Sequence, residues 1–254
     1  MMTTEQKQVL PLFYTNPQPI TIEQHGNLGI TLKNNFQFAK EANSIPIVTS
    51  EYASAAKFYP IVFVKDKVQT SLIVTGFKDN ENVFVNEKGE WLKNTYVPGY
   101  VTRYPFIFLE DEANDQLVLC MDVDAKMVQT AAENPLFKDG KTTEFAESVL
   151  KICTDYQGYL NATRDFVNAL IEQDLLVENQ AELTAPNGEE LRLAGFCVID
   201  EVKFRALSDS VILDWHKKGW VYLAYAHFIS MSNWPQVAQL MQAANKPAFT
   251  ETVH

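Results

Sequence analysis

Positive charge is scarce in this sequence: 21 Lys and Arg face 32 Asp and Glu, leaving a net charge of −11. A surface of that sign repels phosphate backbones and anionic bilayers, so nucleic acid is not expected as a partner. Long apolar runs are missing as well. No segment approaches the ~18 consecutive apolar residues that span a bilayer, and no membrane insertion is expected. The stretch from Met1 to Leu12 lacks the basic-then-apolar order of a secretory leader, and the expected compartment is the cytoplasm. Cysteine is limited to Cys120, Cys153 and Cys197, widely spaced among apolar neighbours such as Leu119, Ile152 and Phe196. Reduced, buried thiols fit that pattern, and without a Cys-x-x-Cys spacing the simplest zinc and dithiol readings fall away. Only 10 glycines are present, in neither phosphate-cradling arrangement, and no Gly-x-Ser-x-Gly elbow occurs. Two positions after His25, His216 and His227 stand Asn27, Lys218 and Ile229, so a compact His-x-carboxylate iron motif is absent. No metal and no cofactor are expected.

What is present is the composition of a globular chain, 46% hydrophobic and 21% charged over 254 residues, enough for one substantial core. Residues 1–35, with Pro11, Pro17, Pro19, Gly26 and Gly29, read as an irregular arm. Residues 36–246 read as a single α+β domain and residues 247–254 as a loose tail. Strands are expected at Ser44–Val48, Ile61–Val64, Thr70–Thr75, Asn82–Val85, Phe106–Leu109 and Gln116–Met121, the last after an Asn114-Asp115 turn. Their short connections predict a mostly antiparallel sheet. Ser50 is placed to cap a short helix from Glu51 to Pro60. Lys57-Phe-Tyr-Pro-Ile-Val-Phe-Val is echoed by Thr102-Arg-Tyr-Pro-Phe-Ile-Phe-Leu, which suggests two equivalent strands of one sheet. From Thr143 to about Leu175 apolar residues recur every three or four positions, predicting a long helix with Gly158 as the place for a bend. Pro186-Asn-Gly188 then marks a hairpin. Asp200 caps a short helix, a second runs from Asp209 to Gly219, Trp220–His227 reads as the last strand, and Pro235 opens a closing helix.

The densest patch is Gly89–Leu109, which gathers Trp91, Tyr96, Tyr100 and Tyr104 around Arg103. Phe106–Leu109 alternates as a strand, whereas Tyr96–Tyr104 precedes it in a Pro- and Gly-bearing loop. Such rings and a guanidinium serve either as core or as a ligand surface. The candidate ligand site is Tyr96, Tyr100, Arg103 and Tyr104, with Tyr59 from the echoed segment.

Ser44-Ile-Pro-Ile-Val48, Glu51-Tyr-Ala-Ser-Ala-Ala, Tyr59-Pro-Ile-Val-Phe-Val, Tyr96-Val-Pro-Gly-Tyr-Val-Thr-Arg-Tyr-Pro-Phe, Leu119-Cys-Met-Asp122, Leu193-Ala-Gly-Phe-Cys-Val-Ile-Asp-Glu201 and Tyr225-Ala-His227 through Asn233-Trp234 together resemble the bacterial SapC family. The resemblance spans about Phe36 to Trp234. It implies an accessory role: relatives accompany outer-membrane nutrient receptors and flavin-dependent halogenase-like proteins, while the family name is tied to surface layers and serum resistance. It supplies no catalytic residues.

Three functions are therefore carried forward. The first is a cytoplasmic, non-enzymatic binding or accessory protein for a protein, peptide or small-molecule partner, linked through the resemblance to outer-membrane nutrient uptake. The second is an oxygenase or peptide-modifying enzyme using His227 with Glu51, Asp200 or Glu201, set against the plainer reading of those residues as a hydrogen-bonded histidine and helix-end acids. The third is a surface-layer component.

Overall fold

Proline hides the first strand. In the computed structural model, which describes residues 10–32, 34–64, 70–111, 114, 116–184, 188 and 190–244, β1 is Pro17–Pro19, α1 is Ile22–His25 and β2 is Leu28–Ile30. The stretch expected to be an irregular arm thus contributes two strands. Proline has no N–H to give to a ladder, so it reads as loop, yet an edge strand tolerates it. Asp115, Pro186, Asn187 and the tail 247–254, expected as turns and a loose end, lie outside the described residues.

Next come β3, Ser44–Ile47, a 3₁₀ turn at Thr49–Glu51, and α2, Tyr52–Ala55. Ser50 is not the cap expected of it: the Glu51 carboxylate instead accepts from Val48 N at 3.0 Å. β4 is Ile61–Val64, β5 is Thr70–Val74, α3 is Gly99–Thr102, β6 is Phe106–Asp111 and β7 is Gln116–Asp122. Asn82–Val85 is not the strand its valines suggested. Asn82 Oδ1 accepts from Phe84 N at 3.0 Å, closing a side-chain turn, and only an isolated bridge joins Val85 to Trp91. Four short strands follow: β8, Val128–Thr130; β9, Asn134–Pro135; β10, Phe137–Lys138; and β11, Lys141–Thr142.

The long helix is as its periodicity predicts: α4 spans Glu144–Glu172, with Glu144 and Glu147 in the first turn, where the helix dipole favours acids. β12, Leu176–Thr184, and β13, Glu190–Ile199, form the expected hairpin. Then come α5, Glu201–Arg205; α6, Asp209–Lys218; α7, Trp220–Ser230; and α8, Trp234–Ala244. Asp200 caps α5 through Val202 N and Lys203 N. The expected strand at Trp220–His227 is α7 instead. Its buried residues are Leu223, Ala224, Ala226, His227 and Ser230, a three-to-four spacing, while Tyr222 and Tyr225 stay exposed. The aromatic and valine content suggested a strand; two alanines and the burial period decided for a helix. The fold is α+β, every pairing among the described strands is antiparallel, and the C-terminal part is helical.

The described residues cluster in two compact units, one of residues 1–34 and 103–157, the other of residues 35–102 and 158–254. The first unit holds two three-stranded sheets, ordered β1-β7-β6 and β8-β2-β9, and the β10–β11 hairpin. Its core gathers Ile30, Phe106, Met121, Leu136, Val149 and Cys153. Burial pushes the Cys153 thiol up to about 11, as expected of an inert structural cysteine.

The second unit is built on a five-stranded sheet, ordered β12-β13-β4-β5-β3. β4 is therefore an inner strand of this sheet and β6 an edge strand of another, so the two echoed segments are not equivalents in one sheet. Val62, Val74, Phe196 and Val198 form one apolar layer with Met231 and Trp234 packed on it. On the other face of β4, Phe63 meets Phe166 of α4, which also touches Tyr52, Trp215 and Trp220 with ring centroids 6.2 Å away in each case. Phe166→Ala removes the ring these four share; urea unfolding should report a loss of about 3–5 kcal/mol.

Candidate functional site

Glu51 organises the loop side of the second unit. It is buried, and its two oxygens are fully used: Oε2 takes Val48 N, while Oε1 takes the Tyr96 hydroxyl at 2.8 Å and Gly99 N at 2.6 Å. Burial, then the Glu51 charge and hydrogen bond, push the Tyr96 phenol up, so it stays a neutral donor. Tyr59 is wholly buried, donates to the Tyr96 carbonyl, and accepts from Trp91 Nε1 at 3.1 Å. Burial raises its phenol to about 12. Tyr100 is buried in α3. Two of the five expected ligand residues, Tyr59 and Tyr96, therefore belong to one internal network of this unit, joined by Glu51, which was expected to accompany His227.

Arg103 and Tyr104 belong to the first unit. The Arg103 guanidinium is buried and lies 4.2 Å from the centre of the Tyr156 ring, a cation–π contact. The Tyr104 hydroxyl donates to Asp122 Oδ2 at 3.0 Å. Asp122, fully buried at the end of β7, also accepts from Thr15 N at 3.0 Å, Asn16 N at 2.9 Å and the Thr15 hydroxyl. A carboxylate this deep needs several donors, and two neighbouring backbone amides with a tyrosine supply them. Burial and the Asp122 charge push the Tyr104 phenol up. Asp122→Ala orphans these donors and should cost about 2–4 kcal/mol of stability, whereas Tyr104→Phe removes a single bond and should cost about 1 kcal/mol. Denaturant titration of both variants distinguishes a hub from an ordinary contact.

His227 has a structural task that explains its burial. β13 pairs with β4 at Cys197 opposite Phe63. Carrying that antiparallel register two residues further sets Ile199 opposite Ile61, a pair that would exchange two ladder hydrogen bonds. The imidazole stands in for one of them: Nε2 accepts from Ile199 N at 3.1 Å, and Nδ1 faces Ile61 O at 2.8 Å. Because one partner can only donate and the other only accept, the ring is neutral with its proton on Nδ1. The Ser230 hydroxyl meets the remaining donor, accepting from Ile61 N at 3.0 Å and donating to His227 O at 2.6 Å. Asn233, three residues on, donates to Ala56 O at 2.7 Å and Tyr59 O at 3.2 Å.

Burial lowers the His227 pKa to about 4 from an ordinary 6.5. Above pH 6.5 the ring is neutral whether the chain is folded or unfolded. Between pH 6.5 and about 4 the unfolded chain binds the proton first, so stability falls by about 3 kcal/mol across that window. His227→Gln should remove this part of the pH dependence and lower stability at pH 7 by about 1–3 kcal/mol. Unfolding free energies of both proteins from pH 4 to 8 supply the comparison. The other proposed partners of His227 are committed elsewhere: Asp200 caps α5, and Glu201 pairs with Arg205 at 2.5 Å.

An opening in the second unit lies beside α7 and α8. A cavity of about 680 Å³ runs between β12 and the α7–α8 segment, with Val198, Phe228, Met231 and Trp234 as its apolar wall. Trp234 stacks on Phe196 at 5.6 Å and meets Phe77 at 5.8 Å. His227 and Glu201 both border it, but His227 is only 1% exposed. None of Tyr59, Tyr96, Tyr100, Arg103 and Tyr104 lines this cavity, whose wall combines Phe77, residues 179–183, Val198, Ile199 and Glu201 with residues of the α7–α8 segment. Trp234, a large ring just before Pro235 at a helix start, was the available signal. Among the described residues no cluster of three or more His, Cys, Asp or Glu is placed to hold a metal, and no helix is long and apolar enough to cross a membrane.

Comparison with known proteins gives a family model, SapC, that matches residues 20–237 of the 254. No curated protein and no solved structure matches the chain.

Proposed function

This chain belongs to the SapC family, and we propose that it is a binding or accessory protein that holds a peptide or small molecule in the cavity beside β12 without transforming it. The observation that carries this reading is the cavity itself: about 680 Å³, apolar on the helix side, polar along β12, with Trp234 in its wall. That is the size and lining of a ligand site, since apolar surface supplies affinity and a few polar groups fix orientation. In this reading Tyr59, Tyr96, Arg103 and Tyr104 hold the scaffold through the contacts described above, and Tyr100 is a buried residue of α3. His227, with Ile199 N and Ile61 O on its two nitrogens, serves the sheet. The expected setting is the cytoplasm, as an accessory to nutrient uptake, and fractionation of the native host tests it against a surface-layer location.

Nile red supplies a direct probe of the cavity. Its fluorescence should rise on binding, and Trp234→Ala should weaken that binding about tenfold. Chemical-shift changes confined to Phe196, Val198, Met231 and Trp234 support the reading. Changes centred on Tyr96 and Tyr100, with the cavity silent, overturn it in favour of the loop.

A further inference from the structure

β12 ends the five-stranded sheet, and among the described residues β13 is its sole strand partner. An edge strand presents main-chain N–H and C=O groups to whatever lies beside it. The cavity lies over β12 and the Val198–Ile199 end of β13, on the side of α7 and α8, and touches five successive residues of the edge strand, Asn179, Gln180, Ala181, Glu182 and Leu183. A second opening, of about 540 Å³, is lined by Glu178, Asn179 and Gln180 together with Arg192 and Ala194–Cys197 of β13.

The bulge separates the two. Pairing shifts between Asn179–Phe196 and Ala181–Leu193, so β13 carries one more residue than β12 there, and Gly195 takes up the extra length at φ +85°. At the same point Gln180 N turns to Asn179 Oδ1 at 2.7 Å, away from the ladder.

Resting on the proposed cavity, we propose that β12 takes up an extended peptide as a sixth antiparallel or parallel strand, and that the peptide is basic with alternating apolar side chains. Strand addition draws its affinity from main-chain hydrogen bonds and its selectivity from pockets that receive alternate side chains. Here one set of side chains meets the apolar wall of Met231 and Trp234, and the other meets the opening at the bulge. The charge of the peptide follows from the strand. Glu178 and Glu182 lie on it against one guanidinium, Arg192, whose Nη2 is held by Gln180 Oε1, and among the described residues the cavity beside Trp234 is lined by Glu182 and by Glu201, the latter paired with Arg205, with no lysine or arginine in its wall. A whole-chain charge of −11 draws the same partner.

The test uses three fluorescein-labelled octapeptides in polarisation titrations against the full chain. One alternates valine with lysine and threonine, one has glutamate in place of lysine, and one is the lysine peptide N-methylated at every second residue along a single edge. The lysine peptide should bind, the glutamate peptide about tenfold more weakly, and the N-methylated peptide at least tenfold more weakly. Glu182→Lys, an exposed change, should reverse the charge preference while leaving Nile red binding intact. Equal binding of the N-methylated peptide overturns strand addition while leaving the cavity as a side-chain pocket. Absence of binding by every peptide, with Nile red still bound, overturns the peptide and keeps the cavity. Failure of Trp234→Ala to alter either probe overturns the cavity and this inference together.

Discussion

A sheet in which two inner strands separate must find other partners for the backbone groups they release. Two residues past the Cys197–Phe63 pair of β13 and β4, the main-chain groups Ile199 N, Ile61 O and Ile61 N are met by side chains from α7. An imidazole has one donor and one acceptor on opposite sides, which is what a peptide-to-peptide bond offers when it is stretched by the width of a ring. Leaving those groups unmet in a dry core would cost several kcal/mol. The substitution fixes more than the sheet. It ties α7 to the start of β4, just before Met231 and Trp234 in the wall of the cavity.

The same economy appears in the acids. Glu51 and Asp122 are both buried, and each collects backbone amides and a tyrosine hydroxyl within its own unit. Both were visible in the sequence as members of recurrent strings, but only Glu51 was considered for a role, and that role was chemical. A buried carboxylate whose oxygens already accept several hydrogen bonds is occupied in holding the backbone.

How far the sequence could be read varied with the range of the forces involved. α4, the β12–β13 hairpin, the Asp200 cap and the Gly219 stop are local: periodicity, a capping side chain or a turn residue decides them, and each lies where the residues predicted. β1 was obscured by its prolines, and α7 was read as a strand because six of its residues are aromatic or β-branched, while the burial that favours a helix depends on what packs around it. The candidate site suffered most. Tyr59, Tyr96, Tyr100, Arg103 and Tyr104 announce themselves by density along the chain, whereas Phe77, Ala181, Val198 and Trp234 meet only through the fold. One clue to the hidden architecture was legible: His227, Ser230 and Asn233 are polar residues three apart in an apolar stretch, the mark of a helix with buried polar work to do.

Gly219 gives that spacing a geometric meaning. It adopts the left-handed conformation at φ +76°, closing α6 with its amide on His216 O and Trp215 O and immediately preceding α7. Two helices thus meet at a single residue with no slack between them. Each residue added to a helix turns everything beyond it by about 100°, so the corner at Gly219 sets the angular phase in which α7 leaves. His227 reaches Ile199 and Ile61 only in that phase. The glycine therefore acts as an index mark: the chain from it to His227, eight residues downstream, is counted to the residue, and this corner is the place where an insertion, harmless in an ordinary loop, would pull that histidine from the strands it joins.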